Sequence, residues 1–375
     1  MKHEYYKHNT LRFEKSAAKF KAAYEFKPGN SIPKIIMDVN YALFGFRPDC
    51  MPDDYFSNPE AMLDYQCKKI ERHLASIDDD YIPMFMPWYG TGVVPSALGS
   101  QIVFNKGLDP AVHGRILIDP SDLHRLRLPD PCQDGQMPDV LRCIDHARTH
   151  SDLPISVTDC QGPLNIALSL CGVEDFCLWM YDDPEKVHDI MDFCTEVLIN
   201  WIKVQKKHAG QELDSGAWPH SILLPKGYGG VSIADDDAVV LSPDLYREFV
   251  VPYNSRIFKA FGGGTLHFCG NAEHQLDNFE QMDGLTGINN FCMGNFKQLI
   301  KMQKKFKNKY TLMACDFNPL HIESYYSELL NCLDPEGLIV CCFVTPELAL
   351  DEGKYVAAAK DELEIIHDLK KALSL

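Results

Sequence analysis

Residues 264–271, GTLHFCGN, indicate the fold more directly than any other stretch of the chain. Side chains alternate along a strand, so His267 and Cys269 lie on the same face, two positions apart. The glycine that follows Cys269 predicts a turn, which places both side chains at the carboxyl end of the strand. Active sites of (β/α)8 barrels are built at that end, so the stretch is typical of a barrel strand that carries chemistry.

Outward from this strand, short apolar runs alternate with longer helical patterns, which favours α/β architecture with a parallel sheet. The predicted strands are 33–41, 81–88, 154–159, 220–224, 265–269, 285–291, 310–316 and 338–343. Eight strands with intervening helices fit a closed (β/α)8 TIM barrel better than an open doubly wound sheet. We expect one domain over residues 1–375, with a helical lead-in at 1–32 and the barrel at 33–375.

The charge and the cysteines limit the classes of partner. The chain has 36 Lys and Arg against 53 Asp and Glu, a net charge of −17, which disfavours nucleic acid and anionic membranes as partners. The 14 cysteines have irregular spacings, and the first residues lack the apolar core of a signal peptide. No apolar run reaches the roughly 18 residues of a membrane helix. We therefore predict a cytoplasmic protein with reduced thiols, and we expect the acidic triplet 78–80 to form a solvated turn.

His267 and Cys269 have the chemistry of zinc ligands, because imidazole and thiolate both suit that ion. A catalytic zinc site keeps three protein ligands and one open position. Cys315 and the pair Cys341 and Cys342 lie near other strand ends and are candidates for the third ligand. Alternation allows only one member of the pair to point inward. The alternative is a buried cysteine and a hydrogen-bonded histidine that fill the barrel interior.

Acidic and amide residues follow two other predicted segments. Asp159 and Gln161 lie between the end of a strand and the start of a helix. At that place they either contact substrate or are structural, as a helix cap and a buried packing residue. Asp236 and Asp237, within the run 235–237, place a carboxylate over the barrel mouth as proton acceptor or metal partner. The alternative for this run is an acid that caps the following turn. We predict these four residues as catalytic candidates.

Four further residues are candidates for substrate contacts. Trp88 ends the second strand and Tyr89 follows it, and the two residues either form an aromatic wall of the pocket or pack in the core. Asn289 and Asp316 lie near the ends of later strands, where polar side chains would reach substrate groups.

Four segments together resemble the uroporphyrinogen decarboxylase superfamily, in the family's order and approximate spacing. They are QGPLNIAL at 161–168, DDDAVVLSPDLYREF at 235–249, HFCGN at 267–271 and LMACDFNP at 312–319. The resemblance extends over roughly residues 80–360. It implies a (β/α)8 barrel with its site at the carboxyl ends of the strands, in agreement with the strand count.

The superfamily contains porphyrinogen decarboxylases and zinc-dependent methyltransferases that move a methyl group between a corrinoid protein and a thiol such as coenzyme M. The pattern at 267–271 is similar to the methyltransferases. This resemblance implies zinc held by His267, Cys269 and Cys342 or Cys341, a thiol substrate, a corrinoid supplied by a partner protein, and a homodimer. The chain has no corrinoid-binding Asp-x-His-x-x-Gly motif of its own.

Two alternatives remain open from the sequence. The first is a metal-independent decarboxylase of the uroporphyrinogen type, although the Arg-rich segment and the early acid of those enzymes are not evident here. Residues 84–90, MFMPWYG, occupy the expected place of the acid, and Lys226, Arg247 and Arg256 are the few basic residues near useful segments. The second alternative is a non-catalytic barrel that binds a corrinoid or another ligand.

Overall fold

The structure is a computed structural model that describes residues 3–29, 31–38, 51–105, 109–218, 222–317 and 322–344, with 357, 360 and 364. The strands are β1 (Lys34–Asp38), β2 (Gln101–Val103), β3 (Ala111–His113), β4 (Gly216–Trp218), β5 (Ile222–Leu224), β6 (Val231–Ala234), β7 (Gly264–Cys269), β8 (Leu285–Phe291), β9 (Thr311–Phe317) and β10 (Leu338–Val344). No described helix combines the length and apolar character needed to cross a bilayer.

Helices of very different length cover the strands. They are α1 (Tyr5–Tyr24), α2 (Pro59–Ser76), α3 (Val93–Ala97), α4 (Met137–His150), α5 (Pro163–Cys171), α6 (Val173–Asp182), α7 (Pro184–Ala209), α8 (Pro243–Phe249), α9 (Val251–Ala260), α10 (Leu276–Glu280), α11 (Phe296–Lys305) and α12 (Ile322–Cys332). Short 3-10 helices lie at Gly90–Gly92, Pro120–Arg125, Asp236–Val239 and Glu273–Gln275.

Eight parallel segments form the ring of a (β/α)8 barrel. Six of them are strands of one sheet in the order β1-β10-β9-β8-β7-β6. The extended segments 81–88 and 154–161 complete the ring through isolated contacts: parallel bridges join Phe85 to Ile155 and Gln161 to Ala234. On the remaining side, the Asp80 backbone N donates to the Lys34 carbonyl at 2.8 Å. The predicted fold class is confirmed, and it brings the carboxyl ends of all eight segments to one mouth.

One predicted barrel strand is wrong. The stretch 220–224 contributes β5, which pairs antiparallel with β4 in a separate two-stranded hairpin. The fourth position of the barrel belongs instead to β6, all four residues of which are buried. A four-residue strand that contains a serine lacks the apolar run that signals a buried strand, so the sequence pattern favours the neighbouring apolar run instead. His220 and residues 39–41 of the first predicted strand lie outside the described residues.

Two helices begin after a capping side chain. Asp183 precedes α7, and its side chain accepts a hydrogen bond from the Lys186 backbone N; Ser242 precedes α8 in the same way, and its partner is the Leu245 backbone N. Both helices begin with proline, which suits the first turn. The apolar stripe of α7 is buried, as its spacing predicts.

The acidic triplet 78–80 differs from the expectation of a solvated turn, because only Asp78 is exposed. The Asp79 carboxylate accepts from Arg12 Nη2 at 3.3 Å and from the Ile36 backbone N at 2.9 Å, and it lies 2.9 Å from His73 Nε2. A buried carboxylate is stable only when such partners surround it. Asp79 contacts both Arg12 of α1 and the Ile36 backbone N of β1. It therefore fixes α1, which lies within the predicted lead-in, against the first barrel strand.

Candidate metal and substrate site

Strand β7 presents His267 and Cys269 at the barrel mouth. The strand is buried along its length except at these two residues, which are half-buried. His267 is in register with Asn289 of β8 on one side and with Ala234 of β6 on the other. The alternation predicted from the sequence therefore holds, and both side chains are accessible from the mouth.

Asp236 completes a group of three potential metal ligands. Its carboxylate Oδ1 lies 3.6 Å from His267 Nε2, and that nitrogen lies 3.5 Å from Cys269 Sγ. The three ligating atoms all lie within 4.8 Å of one another. Zinc bonds of about 2.3 Å to sulfur and 2.1 Å to nitrogen, at a tetrahedral angle, separate two ligands by roughly 3.5 Å. The donor set and its spacing thus fit zinc.

Asn289 sets the orientation of the His267 ring. Its carboxamide Oδ1 is hydrogen-bonded to His267 Nδ1, while its Nδ2 donates to Cys315 Sγ at 2.9 Å. The oxygen accepts, so Nδ1 carries the ring proton and Nε2 keeps its lone pair. This tautomer directs the unprotonated nitrogen toward Cys269 and Asp236, as a metal ligand requires.

The loop after β6 positions Asp236 through its neighbour Asp235. The Asp235 backbone N donates to the His267 carbonyl at 2.8 Å, and its buried carboxylate accepts from Tyr246 Oη and, at 3.0 Å, from Asn254 Nδ2. Burial raises the pKa of Asp235 to about 7. Asp236 then accepts the Cys269 backbone N at 2.8 Å. The anchoring role of Asp235 was not predicted.

The candidate thiolates of β10 lie outside this group. Cys341 is in register with Cys315 and hydrogen-bonds with its thiol, and both cysteines are buried. Cys342 is buried as well. Burial, together with the Asp236 carboxylate, raises the pKa of the Cys269 thiol. A thiolate at Cys269 therefore needs a cation beside it.

Asp159 and Gln161 stand at the end of the neighbouring barrel segment. Gln161 Nε2 donates to Asp159 Oδ2 at 2.6 Å. Burial raises the pKa of Asp159 to about 6 and Asp236 adds to the shift, whereas the Gln161 hydrogen bond and His267 oppose it. A parallel bridge joins Gln161 to Ala234 of β6, which is in register with His267, so this segment ends beside the strands that carry the potential ligands.

Trp88 is hydrogen-bonded to a further acid, Asp109, which the sequence does not predict as a site residue. Its indole Nε1 donates to Asp109 Oδ1 at 2.9 Å. The pKa of Asp109 is raised to about 7, mainly by burial and also by Asp159, whereas the Trp88 hydrogen bond opposes the shift. Asp109 lies in the long connection 89–136, where no strand end signals its position. Tyr89 is turned away from these acids, because its hydroxyl lies 3.3 Å from Cys143 Sγ of α4.

The two remaining candidates have different surroundings. Asp237 is half-buried, and burial raises its pKa, with Asp236 as the second cause. Asp316 Oδ2 accepts from the Gly294 backbone N at 2.7 Å and from Tyr325 Oη at 2.8 Å. Asp316 therefore anchors the loop after β8 to α12.

A groove of about 740 Å³ lies at the opposite end of the barrel. Residues of α1, α7, β4 and β5 line it, together with residues 151–155 at the start of a barrel segment. None of the predicted site residues is among them. The groove and the candidate site are therefore separate features.

The family model described as uroporphyrinogen decarboxylase (URO-D) matches residues 51–218 and 221–313. A methyltransferase from Methanosarcina mazei has a similar solved structure, with a TM-score of 0.67 and 20% sequence identity, over 93% of this chain and 99% of the other. This likeness supports the barrel fold.

Curated relatives match over a shorter stretch. A methylated-thiol–coenzyme M methyltransferase of Methanosarcina mazei is 28% identical over 199 residues, which are 52% of this chain and 49% of the relative. A uroporphyrinogen decarboxylase of Xanthomonas euvesicatoria is 24% identical over 179 residues, 46% of this chain and 45% of the relative. The chain thus spans about half the length of the curated relatives it matches.

Proposed function

The chain belongs to the uroporphyrinogen decarboxylase family, and on that premise we propose that it is a zinc-dependent methyltransferase that moves a methyl group between a corrinoid protein and a thiol. The observation that carries the proposal is that Asp236, His267 and Cys269 bring three potential zinc ligands together at the carboxyl end of the barrel, with His267 Nε2 at 3.6 Å from Asp236 Oδ1 and 3.5 Å from Cys269 Sγ. A decarboxylase has no need of such a donor set.

The metal site would consist of His267 Nε2, Cys269 Sγ and Asp236 Oδ1, with a fourth position left for substrate. Zinc bound there would lower the pKa of an acceptor thiol, so that the thiol reacts as a thiolate at neutral pH. Asn289 keeps the His267 ring in the required tautomer, and the Cys269 backbone N fixes the Asp236 carboxylate. Cys342 or Cys341 stays as the alternative source of the third ligand.

Asp159 is suited to accept the proton that the thiol loses. Its pKa of about 6 leaves it largely ionised at neutral pH, and the pKa is close enough to neutral pH for the carboxylate to accept a proton during the reaction. Gln161 holds the carboxylate from one side through a 2.6 Å hydrogen bond. In the overall reaction the sulfur loses its proton and forms a bond to the methyl group. The bond between the methyl group and its donor breaks, and the electron pair of that bond stays on the donor. Asp237 and Trp88 would shape the mouth around this centre.

The corrinoid would be supplied by a partner protein, because the chain carries no corrinoid-binding motif of its own. Such a partner would approach the carboxyl ends of the strands, where the candidate ligands are accessible.

The competing decarboxylase requires cations that hold substrate carboxylates. The basic residues considered for this role are engaged elsewhere: Arg247 pairs with Asp244, Arg256 with Asp192, and Lys226 with Glu212 at 2.7 Å. The side chains of all three cations are at least 42% exposed. This observation favours the methyltransferase.

Elemental analysis of tag-free protein tests the proposal. We expect about one zinc per chain in the wild type, no zinc in Cys269→Ala and weakened binding in Asp236→Asn. Cys342→Ala and Cys341→Ala are matched thiol controls and are expected to retain the metal. Zinc lost in one of these two variants but kept in Asp236→Asn would assign the third position to a β10 thiolate.

A protein free of zinc, and unable to take it up, would contradict the proposal. The decarboxylase and the non-catalytic binding barrel would then be the candidates to examine. Thermal shifts with carboxylated ligands and with corrinoids would separate those two alternatives.

A further inference from the structure

A pair of histidines lies on one face of α4, outside the candidate site. The stretch HARTH at 146–150 separates them by four positions, which places their side chains one turn apart on the helix surface. The ring centroids of His146 and His150 are 4.0 Å apart, and the ring planes are inclined by only 19°. Two imidazole nitrogens bound to one ion lie roughly 3 to 3.5 Å apart, so rings at this distance can share an ion.

The protonation of the two rings suits metal binding. His150 Nδ1 lies 2.9 Å from the His146 carbonyl, which can only accept, so Nδ1 carries a proton and the neutral ring keeps its lone pair on Nε2. Contacts of this kind orient metal-ligating histidines. The pKa of His146 is lowered, first by burial and then by the neighbouring His150, which favours the neutral ring. A neutral imidazole is the form that binds a metal ion.

Two carboxylates of α2 add negative charge beside the histidine pair. Glu60 and Asp64 are themselves one turn apart on α2, and both act on His146, where they oppose part of the lowering of its pKa. Asp64 Oδ1 also lies 3.4 Å from His3 Nε2, and the His3 backbone N donates to the His150 carbonyl at 2.8 Å. Carboxylates next to neutral imidazoles favour the approach of a divalent cation.

We propose that His146 and His150 form a second metal site, in which one nitrogen of each imidazole binds a divalent transition-metal ion. Among the described residues, only the group at the mouth has three ligating atoms within 4.8 Å of one another, so water completes the coordination on α4. An ion held by two exposed ligands exchanges during purification, whereas the zinc proposed at the mouth is retained. Nickel and copper suit the site best, because the affinity of such donors rises from cobalt through nickel to copper.

The inference goes beyond the proposed methyl transfer and does not depend on it. Isothermal titration of tag-free protein with nickel chloride tests it. The titration is done in the Cys269→Ala chain, in which the proposed zinc site has lost a ligand, and is repeated in the otherwise unchanged chain. We expect one nickel ion per chain in both proteins, and weaker binding of cobalt(II).

His150→Ala is the first test variant, because His150 is exposed and its removal leaves the core intact. His146→Ala is the second, and His146 is half-buried. Either change should weaken nickel binding by at least about tenfold, because the loss of even an outer partner of a metal ligand costs about 10- to 100-fold. Glu60→Gln and Asp64→Asn remove only nearby charge and should weaken binding less.

His124→Ala is the matched control. His124 is also exposed, and its Nδ1 also lies beside a backbone carbonyl, that of Ser121, at 2.6 Å. Positions 120 and 128, one turn away on either side, carry proline and leucine in place of a second histidine. The control variant should therefore bind nickel as the unsubstituted chain does.

The outcomes separate this inference from the proposed function. Binding of one nickel ion that is weakened in both histidine variants and kept in His124→Ala supports the second site. Binding that either histidine variant retains in full overturns it and points to other donors, such as the exposed Cys132 and Cys332. A chain that binds no nickel overturns it as well. Nickel bound by the histidine pair in a chain that takes up no zinc at the mouth would contradict the proposed function and leave the second site supported.

Discussion

His267 and Asn289 lie side by side on adjacent strands, and the hydrogen bond between Nδ1 and Oδ1 determines which ring nitrogen faces the barrel mouth. The same carboxamide donates to Cys315 Sγ at 2.9 Å, so its own orientation is also determined. Outer partners of this kind set both the direction and the basicity of a ligating histidine. Asn289 is thus a positioning residue for the candidate site.

Asn289→Leu is expected to weaken zinc binding by about 10- to 100-fold, because the ring loses the acceptor that holds its Nδ1 proton. Competition with a chromogenic chelator would measure the change. Asn289→Asp keeps an acceptor at that place and should bind zinc far better than the leucine variant. Equal affinity in the wild type and Asn289→Leu would contradict the positioning role.

The sequence sufficed to predict the pair His267 and Cys269, because period-two alternation depends only on the strand itself. It also predicted a carboxylate of the run 235–237 over the barrel mouth, as proton acceptor or metal partner, but it did not single out Asp236 as the residue beside the pair. That relation depends on which segment fills the fourth barrel position, and the sequence pattern favours the apolar run at 220–224 over β6 for that position. A strand that follows two glycines and is only four residues long offers no periodicity to detect.

The acids of 78–80 show a similar limit. Asp78 and Asp79 are adjacent and chemically identical, yet one is exposed and the other buried. The difference arises from Arg12 and His73, which reach Asp79 from α1 and α2. Contacts between elements distant in the chain leave no local signal in the sequence. The same reason explains why the sequence does not predict Asp109, which is held by Trp88.

The entry to β6 depends on Gly229, and replacing it with alanine is expected to be severely destabilising. Its backbone has φ +103°, and an added Cβ would lie 2.0 Å from the Gly263 carbonyl carbon. The backbone would have to move, so we expect a loss of more than about 4 kcal/mol in the free energy of unfolding. Chemical denaturation followed by circular dichroism would measure it.

Gly227→Ala is the matched control for this prediction. Gly227 also has a positive φ, of +89°, but an added Cβ would meet no atom within 4 Å. Only the backbone strain remains, which costs about 1–2 kcal/mol. Similar losses of unfolding free energy in the two variants would show that the close approach of Gly229 to Gly263 does not account for the need for glycine before β6.

Asp79→Ala is expected to lower the free energy of unfolding by about 3–5 kcal/mol, because it leaves the partly buried Arg12 and the buried His73 without their carboxylate. Asp78→Ala removes the same charge from an exposed neighbour and should change stability by less than about 0.5 kcal/mol. Urea denaturation of both variants would measure the difference. A small loss in Asp79→Ala would mean that water replaces the carboxylate at this junction.

Asp109 predicts a specific pH dependence of stability in the metal-free protein. Burial raises its pKa from 3.8 to about 7, so the folded chain binds a proton more tightly than the unfolded chain. Between about pH 4 and 7 the folded state therefore holds more protons, and this residue's contribution to stability falls as the pH rises. Below pH 4 the carboxyl is protonated in both states, and the contribution becomes constant.

Asp109→Asn removes this penalty while its carboxamide oxygen still accepts the Trp88 indole N–H. The variant should match the wild type near pH 4 and exceed its free energy of unfolding at pH 8, by on the order of 1–3 kcal/mol. Denaturation curves of the two proteins at each pH would measure the difference, in which the other titrating groups largely cancel. If the difference in free energy of unfolding between the two proteins stays constant from pH 4 to 8, the raised pKa of Asp109 is contradicted. If the wild type becomes more stable relative to the variant as the pH rises, the pKa is lowered in the folded state instead.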